Sequence, residues 1–354
     1  MRTVHAHRLS RVEGILPLII SELSTRSCFT PRPGHCFVEA DIAGLESVTL
    51  AQVELWTIKS DTKANQINSG VDILSVTGAA IAGESYATFM PRAKGVGGVP
   101  KDPAAAHIRN LSKVAVYGKP GGMADKTLVG FARTSYGIRL GATPANPRPT
   151  REQQIAEAVR IGGFWRDANP HDQDYLEFIR TTRGQDGMYH VVIGHPSVGS
   201  VVRRGKSTYC AACNSLFQGL GALAAGEITW DVVRAAYTAL QSPLYGCRLV
   251  MHAYDSWLLE VPLGRQTEAG HELVRIIKSA GARKVPDVKI KAEPVAMAVW
   301  DKAAELVTDA NGNILIWGTP ECDERRAALA ALKEGQHEQR RTGSRQFTIG
   351  WHSA

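Results

Sequence analysis

The stretch Cys36-Phe37-Val38-Glu39-Ala40-Asp41 is an apolar, strand-like run that ends on a carboxylate. A second run of the same kind, Leu249-Val-Met-His-Ala-Tyr-Asp255, lies far along the chain and also ends on an aspartate. The two carboxylates can meet only if their strands lie side by side in one sheet. Because Mg²⁺ prefers oxygen ligands, such a pair could hold two ions about 3.5–4 Å apart, as in phosphoryl transfer. The alternative is that each aspartate is an ordinary strand-end or turn residue.

A basic segment lies between these two runs. Arg109, Lys113 and Tyr117 recur every four residues, so on a helix they share one face. Two cations on that face could hold a triphosphate, with lysine as a point charge and arginine as a two-pronged donor. The tyrosine could stack against a base or a sugar. The alternative is a solvated basic stripe with a half-buried tyrosine.

Composition sets wider bounds. The chain has 354 residues, 44% of them hydrophobic, which is enough for one large domain or two to three subdomains. A net charge of +7 suits a polyanionic partner, although many basic enzymes bind no nucleic acid. Six cysteines are too few for a disulfide framework at this length, so we expect reduced thiols and a cytoplasmic protein. No apolar run approaches the ~18 residues of a membrane span, so we expect no membrane partner.

Periodicity and turn residues predict an α+β fold, with a few carboxylate-bearing strands surrounded by many helices. Strands are predicted at 36–41, 189–202 (two, with a turn), 247–253, 256–261 and 287–293. Helices are predicted at 44–58, 62–82, 104–117, 123–136, 150–167, 207–225, 229–240 and 266–281. Residues 91–103 are predicted to form a loop, and Asp255 is predicted to lie at a hairpin turn. Thr150 and Gln153 form a predicted capping box. Neither a GxGxxG after a first strand nor a GxxxxGK[ST] motif is present.

These segments together resemble a known family. Residues 41–46 resemble motif A (D-Y-S-Q-I-E) of the polymerase domain of family A DNA polymerases, the bacterial DNA polymerase I type. Residues 109–118 resemble motif B (R-x3-K-x3-[FY]-G), and residues 254–256 resemble motif C (H-D-E). Residues 214–219 resemble the N-x3-Q-G helix of the same domain. The motifs occur in the family's order, cover about residues 26–318, and are most similar to the phage versions.

The resemblance implies a fold and a cofactor. The α+β fold would be a polymerase palm, a small antiparallel sheet carrying the catalytic aspartates, with a mainly helical fingers subdomain. Asp41 and Asp255 would be the catalytic, metal-binding pair for two Mg²⁺ ions. The implied domains are a first palm part at 1–60, fingers at 61–185 with the motif B helix at 104–118, a second palm part at 186–322, and a charged tail at 323–354.

The resemblance also implies which residues bind substrates. Glu46 would lie under the sugar of the incoming dNTP and exclude a 2′-hydroxyl, and Arg109, Lys113 and Tyr117 would bind the rest of the nucleotide. The primer–template DNA would be contacted by a further set, namely Asn214, Gln218, Tyr254, Arg203 and Arg204.

The chain also departs from the family pattern. Gly121 stands where bacterial relatives carry a tyrosine, and Tyr254 and Ser256 replace the histidine and glutamate of motif C. Only 40 residues precede Asp41, which is too short for a thumb and an exonuclease domain. We therefore expect half of a split or truncated phage-type enzyme, with a separate chain supplying those domains.

The sequence leaves three functions open. The first is the catalytic portion of a DNA-directed DNA polymerase. The second is a catalytically degenerate replisome subunit that binds primer–template, which the altered motif C favours. The third is a single-subunit RNA polymerase, against which Glu46 argues because an acidic side chain there would clash with a ribose hydroxyl.

Overall fold

The computed structural model describes residues 25–195 and 199–343, and it is an α+β protein. The strands in these residues are β1 (His35–Ile42), β2 (Tyr189–His195), β3 (Ser200–Ser207), β4 (Arg248–Ala253), β5 (Ser256–Pro262), β6 (Ala292–Met297) and β7 (Ile316–Trp317). The helices are α1 (Leu45–Thr57), α2 (Thr62–Asn68), α3 (Ile73–Ala82), α4 (Tyr86–Lys94), α5 (Pro103–Gly118), α6 (Asp125–Tyr136), α7 (Arg151–Ala168), α8 (Pro170–Thr181), α9 (Tyr209–Tyr237), α10 (Gln266–Ala282) and α11 (Pro320–Gly343). The predicted fold class is confirmed.

The chain forms two compact units. Among the described residues, the first contains 25–41, 229–276 and 292–329, and the second contains 42–195, 199–228, 277–291 and 330–343. These units divide the chain at other points than the four predicted segments, whose assignment to palm, fingers and tail stays a prediction.

A small sheet forms the centre of the first unit. Its strand order is β4-β5-β1-β6-β7. β1 runs antiparallel to β5, β5 runs antiparallel to β4, and β6 runs parallel to β7. Phe37, Leu258 and Met297, from three adjacent strands, form a buried cluster. The sheet therefore joins segments that are far apart in sequence.

Strand β5 owes its central position to its composition. All residues from Trp257 to Val261 are buried, which is the pattern of a strand covered on both faces. The Trp257 indole is fully buried and donates a hydrogen bond of 2.9 Å to Thr229 Oγ1. Glu260, the one acidic residue of the run, accepts two hydrogen bonds from Arg32.

The hairpin between β4 and β5 has a two-residue turn, Tyr254-Asp255, as predicted. Tyr254 adopts a φ of 62°, in the left-handed region that non-glycine residues rarely occupy. Turns of this length between antiparallel strands need positive φ because of the strand twist. Asp255 is therefore placed by turn geometry immediately before the first residue of β5.

The second unit is mainly helical. Ala79 of α3, Phe89 and Ala93 of α4 and Ala105 of α5 form one buried cluster. A Cβ atom at Gly78 would lie 2.7 Å from the Phe89 ring, so this glycine allows α3 and α4 to approach closely. The strands β2 and β3 form a separate antiparallel pair in this unit.

Several predicted boundaries are correct and others are wrong. The capping box at Thr150 and Gln153 is confirmed. The predicted helix at 62–82 is two helices, because Gly70 has a φ of 85° and turns the chain. The two helices predicted at 207–225 and 229–240 are one helix, α9, since Gly226 between them costs only about 1 kcal/mol in a helix interior.

Two further boundaries need correction. The loop predicted at 91–103 starts later, because α4 continues through Pro91 to Lys94 and ends at Gly95 in the left-handed region. The strand predicted at 287–293 is β6, which begins at Ala292. Residues 287 and 289 instead give their backbone N–H groups to Gln52 and Asn68, which leaves them outside the sheet.

None of the helices in the described residues combines the length and apolar character that a membrane crossing requires.

Candidate active site

The structure brings the two predicted aspartates to one place in the first unit. Asp41 lies opposite Ser256 in the register of β1 and β5, and Asp255 directly precedes Ser256. Both aspartates line a cavity of about 300 Å³. The condition derived from the sequence, that the two strands must be neighbours, is met. The metal-binding role of the pair stays a prediction.

Three further carboxylates line the same cavity, namely Glu39, Glu293 and Asp301. The sequence analysis did not single them out. Glu39 carried a usable signal, because it lies two residues before Asp41 and a strand places such residues on the same face. Glu293 comes from β6, whose pairing joins distant segments, so no local pattern marked it.

Glu39 is held by two hydrogen bonds. Its Oε1 atom accepts from the Ser256 hydroxyl at 2.5 Å, and its Oε2 atom accepts from the Trp300 indole at 3.1 Å. The Glu39 carboxylate is therefore held by Ser256, which occupies the position of the motif C glutamate. Here the serine supplies a donor, and the acidic group comes from β1.

Crowding of these carboxylates changes the chemistry of Asp41. Loss of solvation and then repulsion from Glu39 raise the pKa of Asp41 above its usual value, and Glu293 contributes further in the same direction. A bound cation would relieve this repulsion, and hard divalent ions favour carboxylate oxygens. The donor set of this cavity therefore fits the predicted Mg²⁺ ions.

Cationic and aromatic groups also line the cavity, together with apolar side chains. Arg26 and Lys302 are its basic lining residues. The Arg26 guanidinium lies 4.4 Å from the centre of the Trp300 ring, a cation–π contact. Phe29 meets the same ring edge-on at 5.7 Å. Trp300 is thus held by its hydrogen bond to Glu39 and by its cation–π contact with Arg26.

Helix α5 of the second unit carries the predicted triphosphate-binding residues. Arg109 makes a two-pronged ion pair with Asp72, with Nε–Oδ2 at 2.6 Å and Nη2–Oδ1 at 2.9 Å. Burial opposes ionisation of Asp72, but hydrogen bonds from Arg109 and Ser75 outweigh it and hold the pKa of Asp72 below its usual range. Lys113 and Tyr117 lie further along α5, half-buried.

Three residues from two motifs meet in the second unit. The Gln218 amide lies 3.3 Å from Asn214 Oδ1 and 3.5 Å from Glu46 Oε1. Asn214 in turn donates to the backbone oxygen of Gly121 at 3.2 Å. A Cβ atom at Gly121 would lie 2.7 Å from the Asn214 amide, so the glycine that departs from the family pattern is what allows this contact.

Tyr136 is a neighbour of this group that the sequence analysis missed. Burial raises its pKa, with further contributions from Tyr117 and Glu46. Tyr136 therefore lies within electrostatic range of two predicted dNTP-binding residues. No motif marks it, because the contact joins the end of α6 to residues of α1 and α5.

The predicted primer–template residues fall in two places. Arg203 and Arg204 of β3 line a groove together with Asn214 and Gln218 of α9. A Cβ atom at Gly219 would lie 2.5 Å from Val202, so this glycine lets the strand lie directly against the helix. Tyr254 belongs to the first unit, where it is 51% exposed at the hairpin turn.

A separate buried cluster lies in the second unit. The Lys63 ammonium contacts Asp172 and lies 3.4 Å from Glu54 Oε1, and His171 Nε2 lies 3.3 Å from Asp172. Glu54, His171 and Asp172 are residues of types that can ligate a metal ion, and their ligand atoms lie within 4.8 Å of one another. The lysine already supplies a positive charge to both carboxylates.

The chain was compared with known proteins. No family model and no curated protein matches it. Among solved structures it is similar to the POL domain of Pol1 from M. smegmatis in complex with DNA primer-template and dNTP. The identity is 18%, the alignment covers 78% of this chain and 42% of that chain, and the TM-score is 0.49. The chain therefore spans under half the length of that chain.

Proposed function

We propose that this chain is the catalytic portion of a DNA-directed DNA polymerase. It would transfer dNMP units to a primer 3′-hydroxyl by two-metal nucleotidyl transfer. One observation carries the proposal: Asp41, on β1, and Asp255, in the turn that leads into the adjacent β5, line one carboxylate-rich cavity. The ordered sequence motifs support it independently.

The first unit would supply the metal-binding groups. Asp41 and Asp255 would hold the Mg²⁺ ions, and Glu39 and Glu293 would add negative charge around them. The bound ions would activate the attacking hydroxyl and stabilise the leaving pyrophosphate. Glu39, fixed by Ser256 and Trp300, would keep the carboxylates of the cavity in a defined arrangement.

The second unit would supply the substrate contacts. Arg109 and Lys113 would bind the triphosphate, and Tyr117 would face the sugar. Glu46 would exclude a 2′-hydroxyl, and its contact with Gln218 would orient it for that task.

The groove between β3 and α9 would bind DNA. Arg203 and Arg204 would contact phosphates, which give affinity without sequence preference. Asn214 and Gln218, whose amides are donors and acceptors, would contact base edges of the primer–template. Tyr254, in the first unit, is a further proposed primer–template residue. A separate chain with thumb and exonuclease domains, a phage-type origin and a cytoplasmic location also belong to the proposal.

Primer extension with Mg²⁺ and dNTPs tests the proposal. Asp41→Asn and Asp255→Asn should each lower the extension rate by orders of magnitude, because each removes a metal carboxylate. Asp167→Asn, at an exposed position of α7 in the second unit, is the matched control and should extend normally. Unchanged extension by both aspartate variants would exclude this active site.

A second candidate function is a degenerate subunit that binds primer–template and does not extend it. The specific observation in its favour is Ser256, which stands where motif C has an acidic residue and serves as a hydrogen-bond donor to Glu39. It predicts DNA binding with no extension, even when a thumb-bearing partner chain is added. Extension under either condition would reject it.

A further inference from the structure

We propose that the second unit contains an oligophosphate-binding pocket in which Lys94 and Lys291 are the principal binding cations. Neither lysine belongs to a motif found in the sequence. Naming a nucleotide as the source of the phosphates rests on the proposed function, whereas the pocket itself does not.

The pocket is a cavity of about 260 Å³, here called the lysine pocket. It is lined by residues from 43–48 and 67–74, together with Lys94, Arg109, Tyr117 and Lys291. Pockets for complete drug-sized ligands measure roughly 300–1,000 Å³. The lysine pocket is therefore of a size to hold a compact charged part of a ligand, such as a phosphate chain.

The charges of the lysine pocket are unbalanced. Its lining contains three cations, Lys94, Lys291 and Arg109, and one carboxylate, Asp72. Asp72 is already engaged by Arg109 through two hydrogen bonds of 2.6 and 2.9 Å, so this pair is neutral. The two lysines therefore leave an excess of two positive charges.

Neither lysine is neutralised nearby. Within 25–195 and 199–343, Lys94 and Lys291 have no carboxylate at ion-pair distance. The Lys291 ammonium lies 3.8 Å from the position of a Cβ atom on Gly70, so it is at the rim formed by that turn. Lys94 is close enough to Asp72 to lower its pKa. Both lysines line the same cavity.

Two helices add donors to the lysine pocket. Helix α1 begins after Gly44, which has no side chain to cap the first turn. Helix α3 begins after Asp72, whose carboxylate is used by Arg109 and Ser75 and makes no cap hydrogen bond. The first N–H groups of a helix need acceptors, and an anion can supply them.

These features favour an oligophosphate over a carboxylate ligand. Lysine is a strong point-charge binder of phosphate. A single carboxylate would balance only one of the two excess charges, whereas a pyrophosphate or triphosphate carries enough charge for both. The same chemistry is offered by free oligophosphate and by the phosphate chain of a dNTP.

Calorimetric titration of the full chain at low salt tests the proposal. The probes are inorganic triphosphate and one dNTP, each without DNA. The double variant Lys94→Ala, Lys291→Ala should weaken triphosphate binding about tenfold per lysine, the effect of losing one charge-assisted hydrogen bond. Lys126→Ala, an exposed lysine of α6 outside the pocket, is the matched control. Lys94→Arg with Lys291→Arg should restore binding.

Each result of the titration either supports or overturns the lysine pocket. Loss of both triphosphate and dNTP binding in the double variant supports the pocket and assigns it to the nucleotide. Loss of triphosphate binding alone supports the pocket as a site for free oligophosphate. Equal binding by the double variant and the wild type, or no triphosphate binding by the wild type, overturns it. Binding without any primer extension would instead count against the proposed function, and a thermal melt checks that each variant is folded.

Discussion

The Ser256 hydroxyl donates a hydrogen bond of 2.5 Å to Glu39 Oε1, and this contact links β5 to β1 beside Asp41. The motif C pattern would place an acidic residue at position 256, on β5. Here β5 carries the hydroxyl of Ser256 at that position, and the acidic residue, Glu39, lies on β1. The cavity keeps its carboxylate, but the carboxylate belongs to a residue that the motifs do not include.

Glu39→Gln should therefore lower primer extension although it removes only a charge. The amide oxygen can still accept from the Trp300 indole, and the amide N–H can donate to the Ser256 hydroxyl, so the fold should be unchanged. We expect a loss of about 10- to 100-fold, the usual effect of residues that support metal ligands. Steady-state extension at saturating Mg²⁺ measures it. Glu305→Gln, an exposed glutamate of the same unit, is the control, and an equal loss there would contradict the role of Glu39.

Lys113→Ala should raise the apparent KM for dNTPs much more than it weakens DNA binding. The lysine would contact the triphosphate, and one such contact is worth about tenfold in affinity. Extension kinetics at varied dNTP concentration give KM, and fluorescence anisotropy of labelled primer–template gives DNA affinity. Lys126→Ala should change neither. Equal losses of both affinities would mean that α5 binds duplex DNA.

Lys63→Met should destabilise the fold by about 3–5 kcal/mol, because it leaves the buried Asp172 carboxylate and the adjoining Glu54 carboxyl group without their cation. Glu54 is 0% and Asp172 2% exposed, so water cannot replace the ammonium. Urea unfolding measures the free energy, with Lys126→Met as the control. Adding Glu54→Gln and Asp172→Asn to Lys63→Met should recover part of the loss, and a recovery of zero would show that the lysine acts through packing.

Glu54 should make stability depend on pH. Burial, followed by repulsion from Asp172, holds the pKa of Glu54 well above its usual range, although Lys63 opposes the shift. The folded state then binds a proton that the unfolded state has released. Stability from this group is present below the usual glutamate pKa and is lost as pH rises toward the folded pKa.

Urea unfolding of the wild type and of Glu54→Gln, at pH values that rise from below the usual glutamate pKa, checks this expectation. The glutamine cannot ionise, so its free energy of unfolding should fall less with rising pH than that of the wild type. Glu321→Gln, at an exposed position, should follow the wild type. Identical slopes for the wild type and Glu54→Gln would show that the buried carboxyl is ionised throughout.

The sequence was sufficient for the parts of the site that follow from local patterns. The strand that carries Asp41 follows from a run of apolar residues and the turn at Tyr254-Asp255 from its length, and both are found as predicted. Helix α5 could also be predicted from local patterns, because its N-cap Asp102, its first residue Pro103 and the spacing of its apolar residues all indicate a helix.

Other parts depend on pairings that sequence does not encode locally. Glu293 enters the cavity because β6 lies next to β1, and Arg109 meets Asp72 through the packing of α3 on α5. Each contact depends on where two distant elements cross, which neither periodicity nor motif spacing reports. The break at Gly70 was missed because apolar spacing continues across it, while the backbone turns.

Trp300 has a consequence for how the cavity can be observed. Its indole donates to Glu39 on one side and lies under the Arg26 guanidinium on the other. Indole emission responds to nearby charge, so a cation entering among these carboxylates would change the fluorescence of this ring. The protein thus carries an intrinsic optical reporter on the wall of its carboxylate cavity, readable without a label, a nucleotide or DNA.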